Sequence, residues 1–296
     1  MIVIRTISEL RNALVTRKQE LQASGTTSEI GFVPTMGFLH DGHASLMNRA
    51  KSECEIVVLS VFVNPLQFGP NEDFERYPRD EARDSALAEA CGVDFLFMPA
   101  VHEMYPQPSK TNVSVSKITE RLCGASRPGH FDGVCTVVSK LFQIVDPNRA
   151  YFGLKDAQQV AVIQQMVNDL NMRVQIVPCP TIREEDGLAK SSRNVYLQKE
   201  ERKQALVLSR VLSEVDRWLN DSPHDVQAVH QRIVNTILQQ PLADIDYVEI
   251  VHYPSLEPIQ TYRPEIGALT LVALAVRFGG TRLIDNRLLE YTEKGE

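Results

Sequence analysis

No stretch of this chain is apolar for long enough to span a bilayer. The longest runs, Ile56 to Val63 and Leu269 to Val276, fall far short of the roughly 18 residues a membrane helix needs. Nor is there a basic block: 31 Lys and Arg against 38 Asp and Glu leave a net charge of −7. Nonspecific nucleic-acid binding needs a positive surface, so that class is set aside. A small anionic substrate is not, because a single pocket can be locally basic. Cysteine is sparse. Cys54, Cys91, Cys123, Cys135 and Cys179 are scattered, odd in number and without a Cys-x-x-Cys pair. They read as interior packing in a reduced compartment. Met1 to Arg5 has the look of a strand and lacks the layout of a signal peptide. There is no internal repeat and no low-complexity segment. The expectation is a cytoplasmic protein with neither membrane nor nucleic acid as partner.

What is present is ample core material: 296 residues, 43% hydrophobic, enough for about two domains. The most informative stretch is Gly31 to His43, Gly-Phe-Val-Pro-Thr-Met-Gly-Phe-Leu-His-Asp-Gly-His. Ile30 to Val33 is a short apolar strand, Pro34 to Gly42 stops it, and Ala44 to Lys51 has helical composition. Gly37 and Gly42 let backbone approach a bulky ligand, and the N–H groups of a helix start favour phosphate oxygens. His40 and His43 can share one side of that helix start and donate to charge that develops in phosphoryl or nucleotidyl transfer. Two histidines at this spacing also suit a partial metal site or an exposed turn, although the glutamate of the zinc-protease signature is missing.

In chain order, Thr6 with Glu9 forms a capping box for a helix running towards Leu21. Ile56 to Val63 is a strand of the kind buried on both faces of a parallel sheet, ending in Asn64-Pro65-Leu66-Gln67-Phe68 at the carboxyl end where open α/β sheets place ligands. Asn64 serves equally as a turn residue before proline. Arg79 to Cys91 reads as helix and Val93 to Met98 as strand, and Tyr105 to Lys110 is proline-containing loop. Gly124 to Gly133 is a second glycine-rich loop, whose Arg127 and His130 suit either an anion or a well-made turn. It opens a helix with apolar Val134, Val137, Val138, Leu141 and Val145. Gly153-Leu154-Lys155-Asp156 repeats the opening pattern of strand, glycine and polar residues before a helix, Ala157 to Leu170. Lys155 would bring positive charge to phosphates, and Asp156 would hold magnesium or a nucleotide hydroxyl, or cap the helix. Of Gln158 and Gln159 only one can face the crevice.

Arg173 to Val177 is a further strand, and Pro178-Cys179-Pro180 marks a break in the chain. The expected domains are 1–181 and 182–296, a parallel-sheet nucleotide domain and a smaller α+β one. Glu184 to Asn194 is a charged loop carrying Lys190, Ser191, Ser192 and Arg193, in which the serine pair suits a helix cap as well as a ligand. Ala205, Leu208, Leu212, Val215 and Leu219 mark one helical face, and a second helix covers His224 to Leu238. Strands are expected at Asp246 to His252 and Leu269 to Phe278, with a turn at Gly279 to Arg282.

Pro34-Thr35-Met36-Gly37 before His40-Asp41-Gly42-His43 resembles the "HIGH" signature of nucleotidyltransferases related to class I aminoacyl-tRNA synthetases, and Lys190 to Arg193 their "KMSKS"-like loop. With Val63 to Phe68, Arg127 to Phe131, Gly153 to Gln159 and Asp186 to Asn194 added in order, the whole chain closely resembles the pantothenate synthetase (pantoate–β-alanine ligase) family. The resemblance implies an α/β fold: a Rossmann-like parallel-sheet N-terminal domain, a smaller α+β C-terminal lid domain, and a homodimer. It implies condensation of (R)-pantoate with β-alanine to pantothenate, AMP and pyrophosphate through pantoyl adenylate, with ATP as substrate and Mg2+ as cofactor.

By motif match, Met36, Gly37, Phe38, Leu39, His40, Asp41, Gly42 and His43 contact ATP, with His43 the family's proton donor. Gly153, Leu154, Lys155 and Asp156 form the second ATP segment, and Ile182 with Lys190, Ser191, Ser192 and Arg193 the closing one. The resemblance further implies that Gln67, Gln159, Asn64, Thr35 and Met36 line the pantoate and β-alanine positions, that Asp156 is the magnesium residue, and that the catalytic set is His43, His40, Lys155, Ser191, Ser192 and Arg193. Lys190 departs from the leucine or methionine of many relatives. The alternative is a nucleotidyltransferase of the same superfamily acting on a phosphorylated acceptor. Neutral Gln67 and Gln159, where a phosphate acceptor would want cations, favour the ligase.

Overall fold

The computed structural model describes residues 1–70, 72–222, 224–262, 265 and 267–290. The chain forms two units: 1–116 with 127–154 and 162–180, and 117–126 with 155–161 and 181–296. The second unit therefore recruits two short stretches from far upstream of residue 181.

The first unit is built on a parallel sheet of β1 (Ile2–Ile4), β2 (Ile30–Thr35), β3 (Ile56–Val61), β4 (Phe95–Phe97), β5 (Arg149–Gly153) and β6 (Gln175–Cys179), in the order β1-β4-β3-β2-β5-β6. Its helices are α1 (Ile7–Ala23), α2 (Asp41–Glu53), α3 (Glu81–Ala90), α4 (Val101–Met104) and α6 (His130–Val145); α5 (Cys123–Ser126) lies in the second unit, and α7 (Ala157–Asp169) begins in the second and ends in the first. The continuous apolar strands are explained by cover on both faces. Val33, Val57, Leu59 and Tyr151 share a cluster with Leu46, Met47 and Ala50 of α2. Phe32, the neighbour of Val33, faces the other way and meets Phe142 of α6 edge to face at 6.4 Å.

The chain order reverses between β2 and β5, and ligands of open α/β sheets gather at such a switch point. Here the two strands also part early. β2 pairs with β3 from Ile30 to Thr35, but with β5 only at Gly31 and Phe32. Ile30 directs its backbone to β5, accepting from the Asn148 N–H, whereas Thr35 accepts from Phe62 on the β3 side. Alternation therefore turns Pro34 towards β5, where it has no N–H to give. Proline does not stop β2, as the sequence suggested; it stops one of its two ladders.

Pro178 corrects the second expected break in the same way. It lies inside β6, in register with Phe152. The Gln175 N–H donates to Asn148 in the direction of β5, so Pro178, three residues on, faces the open edge where no ladder bond is lost.

The second unit has an antiparallel sheet of β7 (Ala243–Tyr253), β8 (Leu269–Phe278) and β9 (Thr281–Glu290), in that order. On one face pack α9 (Val207–Asp221) and α10 (Val226–Ile237), with Leu208, Leu212, Val215, Leu219 and Ile233 against Val272, Leu274 and Val276. On the other, Leu271 and Ala273 meet Leu122 and Ala157, which is why residues 117–126 and 155–161 belong to this unit. The single helical face read around Ala205 is two helices, α8 (Lys199–Ala205) and α9, separated at Leu206. All five cysteines are reduced, and all but Cys91 are buried. Among the described residues no helix is long and apolar enough to cross a membrane.

Candidate active site

The expected functional residues fall into two groups. Thr35 to His43, Asn64, Gln67, Gly153 and Leu154 lie in the first unit; Lys155, Asp156, Gln159, Ile182 and Lys190 to Arg193 lie in the second.

In the first unit, the loop from Met36 to Leu39 leaves β2 at the switch point. Gly37 has φ +88°, and a Cβ there would sit 2.8 Å from Val61 Cγ1 and 2.9 Å from Asp84 Oδ2, so only glycine fits. Phe38 is also left-handed, with φ +51°. The loop keeps this shape because its N–H groups are held: Phe38 donates to Asp84 Oδ2 at 2.9 Å and Leu39 to Asp84 Oδ1 at 2.7 Å. Asp84 is 1% exposed. Burial raises its carboxyl from the ordinary aspartate value, and the two N–H bonds offset this only in part. Nothing local in the sequence of α3 marks this residue. Only the folded chain reveals that it organises a loop 45 positions away.

The two histidines cap α2 reciprocally. His40 Nδ1 accepts from the Gly42 N–H at 3.1 Å, and His43 Nδ1 accepts from the His40 N–H at 3.2 Å. The arrangement is a capping box with imidazoles in place of the usual hydroxyl and carboxylate. An Nδ1 that accepts carries no proton, so each neutral ring holds its hydrogen on Nε2. The rings lie 4.1 Å apart, centroid to centroid. The site thus has two Nε2–H donors of fixed tautomer beside the N–H groups of a helix start, a set suited to phosphate oxygens.

Gln67 ends the 3₁₀ turn Pro65–Gln67, which Asn64 caps. The turn lies so close to α6 that a Cβ on Gly133 would fall 2.3 Å from Leu66 O. Gln67 is 8% exposed and its Nε2 reaches Met36 Sδ at 3.0 Å, which joins the turn to the β2 loop. Arg127 and His130 both serve this turn. His130 Nδ1 lies 2.8 Å from Gln67 O, and Arg127 makes a two-pronged ion pair with Glu72 at 2.5 Å on each arm. Burial would raise the Glu72 carboxyl, but the Arg127 hydrogen bond and charge hold it below its ordinary value. Arg127 therefore already has its anion.

In the second unit, Lys155 Nζ stands 3.6 Å from Asp156 Oδ2, and the Asn286 side chain fixes the Lys155 carbonyl at 2.9 Å. Gln158 is buried and fully engaged: Oε1 accepts from the Cys123 N–H, and Nε2 donates to the carbonyls of Ile118 and Arg121. It staples residues 117–126, which leaves Gln159, half-buried, as the other member of the pair. The loop from Ile182 to Asn194 is pinned at its base. The Lys190 N–H donates to Ile182 O at 2.9 Å, Arg183 grips Asp285 at 2.7 and 2.9 Å, and Asn194 bonds Glu184 and Ala189. Ser191 caps the 3₁₀ turn Ser192–Tyr196 by accepting from the Arg193 N–H, so the cap anticipated for the serine pair is real.

Asp156 is a half-exposed carboxylate, and among the described residues no group of three or more His, Cys, Asp or Glu is placed to hold a metal. A single carboxylate of this kind suits magnesium, which takes one or two carboxylates together with substrate phosphates and water.

Known proteins resemble the chain over nearly its full length. The family model for pantoate–β-alanine ligase matches residues 2–288. The pantothenate synthetase of Acetivibrio thermocellus is 55% identical, over 98% of this chain and 100% of that protein. The crystal structure of pantothenate synthetase from Thermus thermophilus has a TM-score of 0.87 and 48% identity, covering 97% of this chain and 99% of that one. The pantoate–β-alanine ligase of Francisella tularensis, solved with βγ ATP and β-alanine, has a TM-score of 0.78 and 34% identity, with 97% of each chain covered. The six-stranded parallel sheet and the separate antiparallel sheet occur in a protein matched across its length at this identity, and the chain belongs to the pantoate–β-alanine ligase family.

Proposed function

We propose that this chain condenses (R)-pantoate with β-alanine at the expense of ATP, releasing AMP and pyrophosphate, through pantoyl adenylate. The single observation that carries the reading beyond family membership is the pair of capped imidazoles beside the switch point of the sheet, with Gln67 reaching the same loop. A carboxylate does not acylate an amine at neutral pH because its oxygen is a poor leaving group. The first step is therefore in-line attack of the pantoate carboxylate on the α-phosphorus, with pyrophosphate as leaving group.

The Nε2–H groups of His40 and His43 donate hydrogen bonds to oxygens that gain charge in this step, His43 to the bridging oxygen as it departs. Met36 to Gly42, Gly153, Leu154 and Ile182 hold the nucleotide. Lys155 and Arg193 neutralise the departing pyrophosphate, with the Lys190 ammonium added to them, and the Ser191 and Ser192 hydroxyls donate hydrogen bonds to it. Asp156 would hold Mg2+, which when bound spreads phosphate charge. Thr35, Gln67 and Gln159 place pantoate, with Asn64 behind Gln67, and leave room for β-alanine, whose neutral amine attacks the anhydride while AMP leaves. Proximity dominates this second step, and no protein nucleophile takes part. The protein acts as a homodimer in the cytoplasm.

The test is to supply ATP, Mg2+ and pantoate with and without β-alanine and identify products by mass. Pantothenate and AMP are expected with the amine, and pantoate-dependent exchange of pyrophosphate into ATP without it. A stable nucleotidylated product that ignores β-alanine would refute the proposal.

A further inference from the structure

Asn64 is 1% exposed, and all its hydrogen-bonding capacity is used inside the protein. Its Oδ1 accepts from the Leu66 N–H at 3.3 Å and from the Tyr105 hydroxyl at 3.0 Å. Its Nδ2 donates to Gly133 O and to Gln67 Oε1, both at 3.1 Å. An amide has two donors and two lone pairs, so nothing remains for a ligand.

The network also has a direction. A backbone N–H can only donate and a backbone carbonyl can only accept, so Leu66 and Gly133 settle which end of the Asn64 amide is oxygen. With Nδ2 facing Gln67, the end of Gln67 that meets it must be Oε1. The Gln67 Nε2, with two hydrogens, is thereby turned to the β2 loop. Its one acceptor there among the described residues is the Met36 thioether, a weak one that an oxygen ligand would readily replace.

Tyr105 completes the chain. Its ring packs beside Phe62 at 6.1 Å, and Lys140 Nζ lies 5.1 Å from the ring centroid. Burial pushes its hydroxyl up to about 12, so it remains a donor throughout the neutral range.

We propose that Tyr105 and Asn64 are positioning residues that fix the polarity of the Gln67 amide, so that Gln67 offers donors only and selects a substrate through its carboxylate or hydroxyl oxygens. Asn64 then acts through Gln67 and does not touch pantoate. The inference rests on the reading of Gln67 as a pantoate-binding residue.

The experiment measures pantoate-dependent pyrophosphate–ATP exchange in the whole chain and in two variants, with folding followed by circular dichroism. Exchange in the unaltered chain reads the activity itself; its absence would remove both that activity and this inference. Tyr105→Phe deletes one hydroxyl and keeps the ring. It is expected to raise KM for pantoate about 3- to 10-fold, the loss of one modest hydrogen bond, with kcat and KM for ATP within about two-fold. In Asn64→Asp the introduced carboxylate cannot donate to Oε1, so the Gln67 amide turns over and shows oxygen to an anionic substrate. KM for pantoate should then rise about 10- to 100-fold, the range for a hydrogen bond to a charged group. If Asn64→Asp does not fold, Tyr105→Phe carries the test alone. A Tyr105→Phe chain with unchanged KM for pantoate, or with kcat lowered while every KM stays the same, would overturn the inference.

Discussion

The Leu39 N–H donates to Asp84 Oδ1 at 2.7 Å, and the adjacent Phe38 N–H donates to the other oxygen of the same carboxylate. One buried aspartate thus holds two consecutive residues of the loop that follows β2.

Function and stability should separate when Asp84 becomes Asn. Burial raises this carboxyl, so its ionised form is the costly one in the fold. Its contribution to stability is full below the ordinary aspartate range and is lost as pH rises through the raised value. Asp84→Asn is uncharged throughout, so it should lose more stability relative to the parent in acid than at neutral pH. At neutral pH the introduced amide sets an N–H against a loop N–H, and KM for ATP should rise about 10-fold, the scale of a charged hydrogen bond. Denaturant midpoints at both pH values and ATP saturation curves check this; an equal stability loss at both would refute it.

Capping and catalysis can be parted at His40. Asparagine is a good N-cap, so His40→Asn should retain the stability that His40→Ala loses, about 1 kcal/mol. Both should slow adenylate formation about 10²-fold through loss of the Nε2–H donor. Near-normal exchange in His40→Asn would leave the imidazole with a structural role only.

The paired glutamines should behave oppositely. Gln158→Ala strands two carbonyls and one N–H, and is expected to cost about 2–4 kcal/mol in stability. Gln159→Ala should melt with the parent yet show a KM for pantoate raised about 10-fold. Melting curves and pantoate titrations together decide it.

Lys155→Ala is expected to reduce pyrophosphate–ATP exchange by about 10² or more with the fold intact. Chelation of divalent cations should stop exchange, and Asp156→Asn should raise the Mg2+ concentration needed for half the maximal rate. A variant with the parent's Mg2+ dependence would exclude Asp156 as a ligand.

What could be read before folding was whatever chemistry sits within a few residues. The capping box at Thr6, the helix start at His40 and the cap at Ser191 are all local, and each appears where the sequence suggested. Two kinds of information were missing. Pro34 and Pro178 looked like strand ends because the effect of a missing N–H depends on which side of the strand it faces, and that side is set by distant partners. Asp84 and Tyr105 looked ordinary, and Gln158 could not be told from Gln159, because each acts on a segment 35 or more positions away and such contacts leave no periodic trace. For the same reason nothing assigned residues 117–126 to the second unit before Leu122 was found against Leu271.

Pro34 gives the mouth of the sheet a permanence that side-chain packing alone would not. A zipper cannot close past a missing tooth, and here the tooth is absent by covalent structure, on the flank where β5 would otherwise continue. However the neighbouring groups shift, that flank of β2 always lacks one hydrogen to offer to β5.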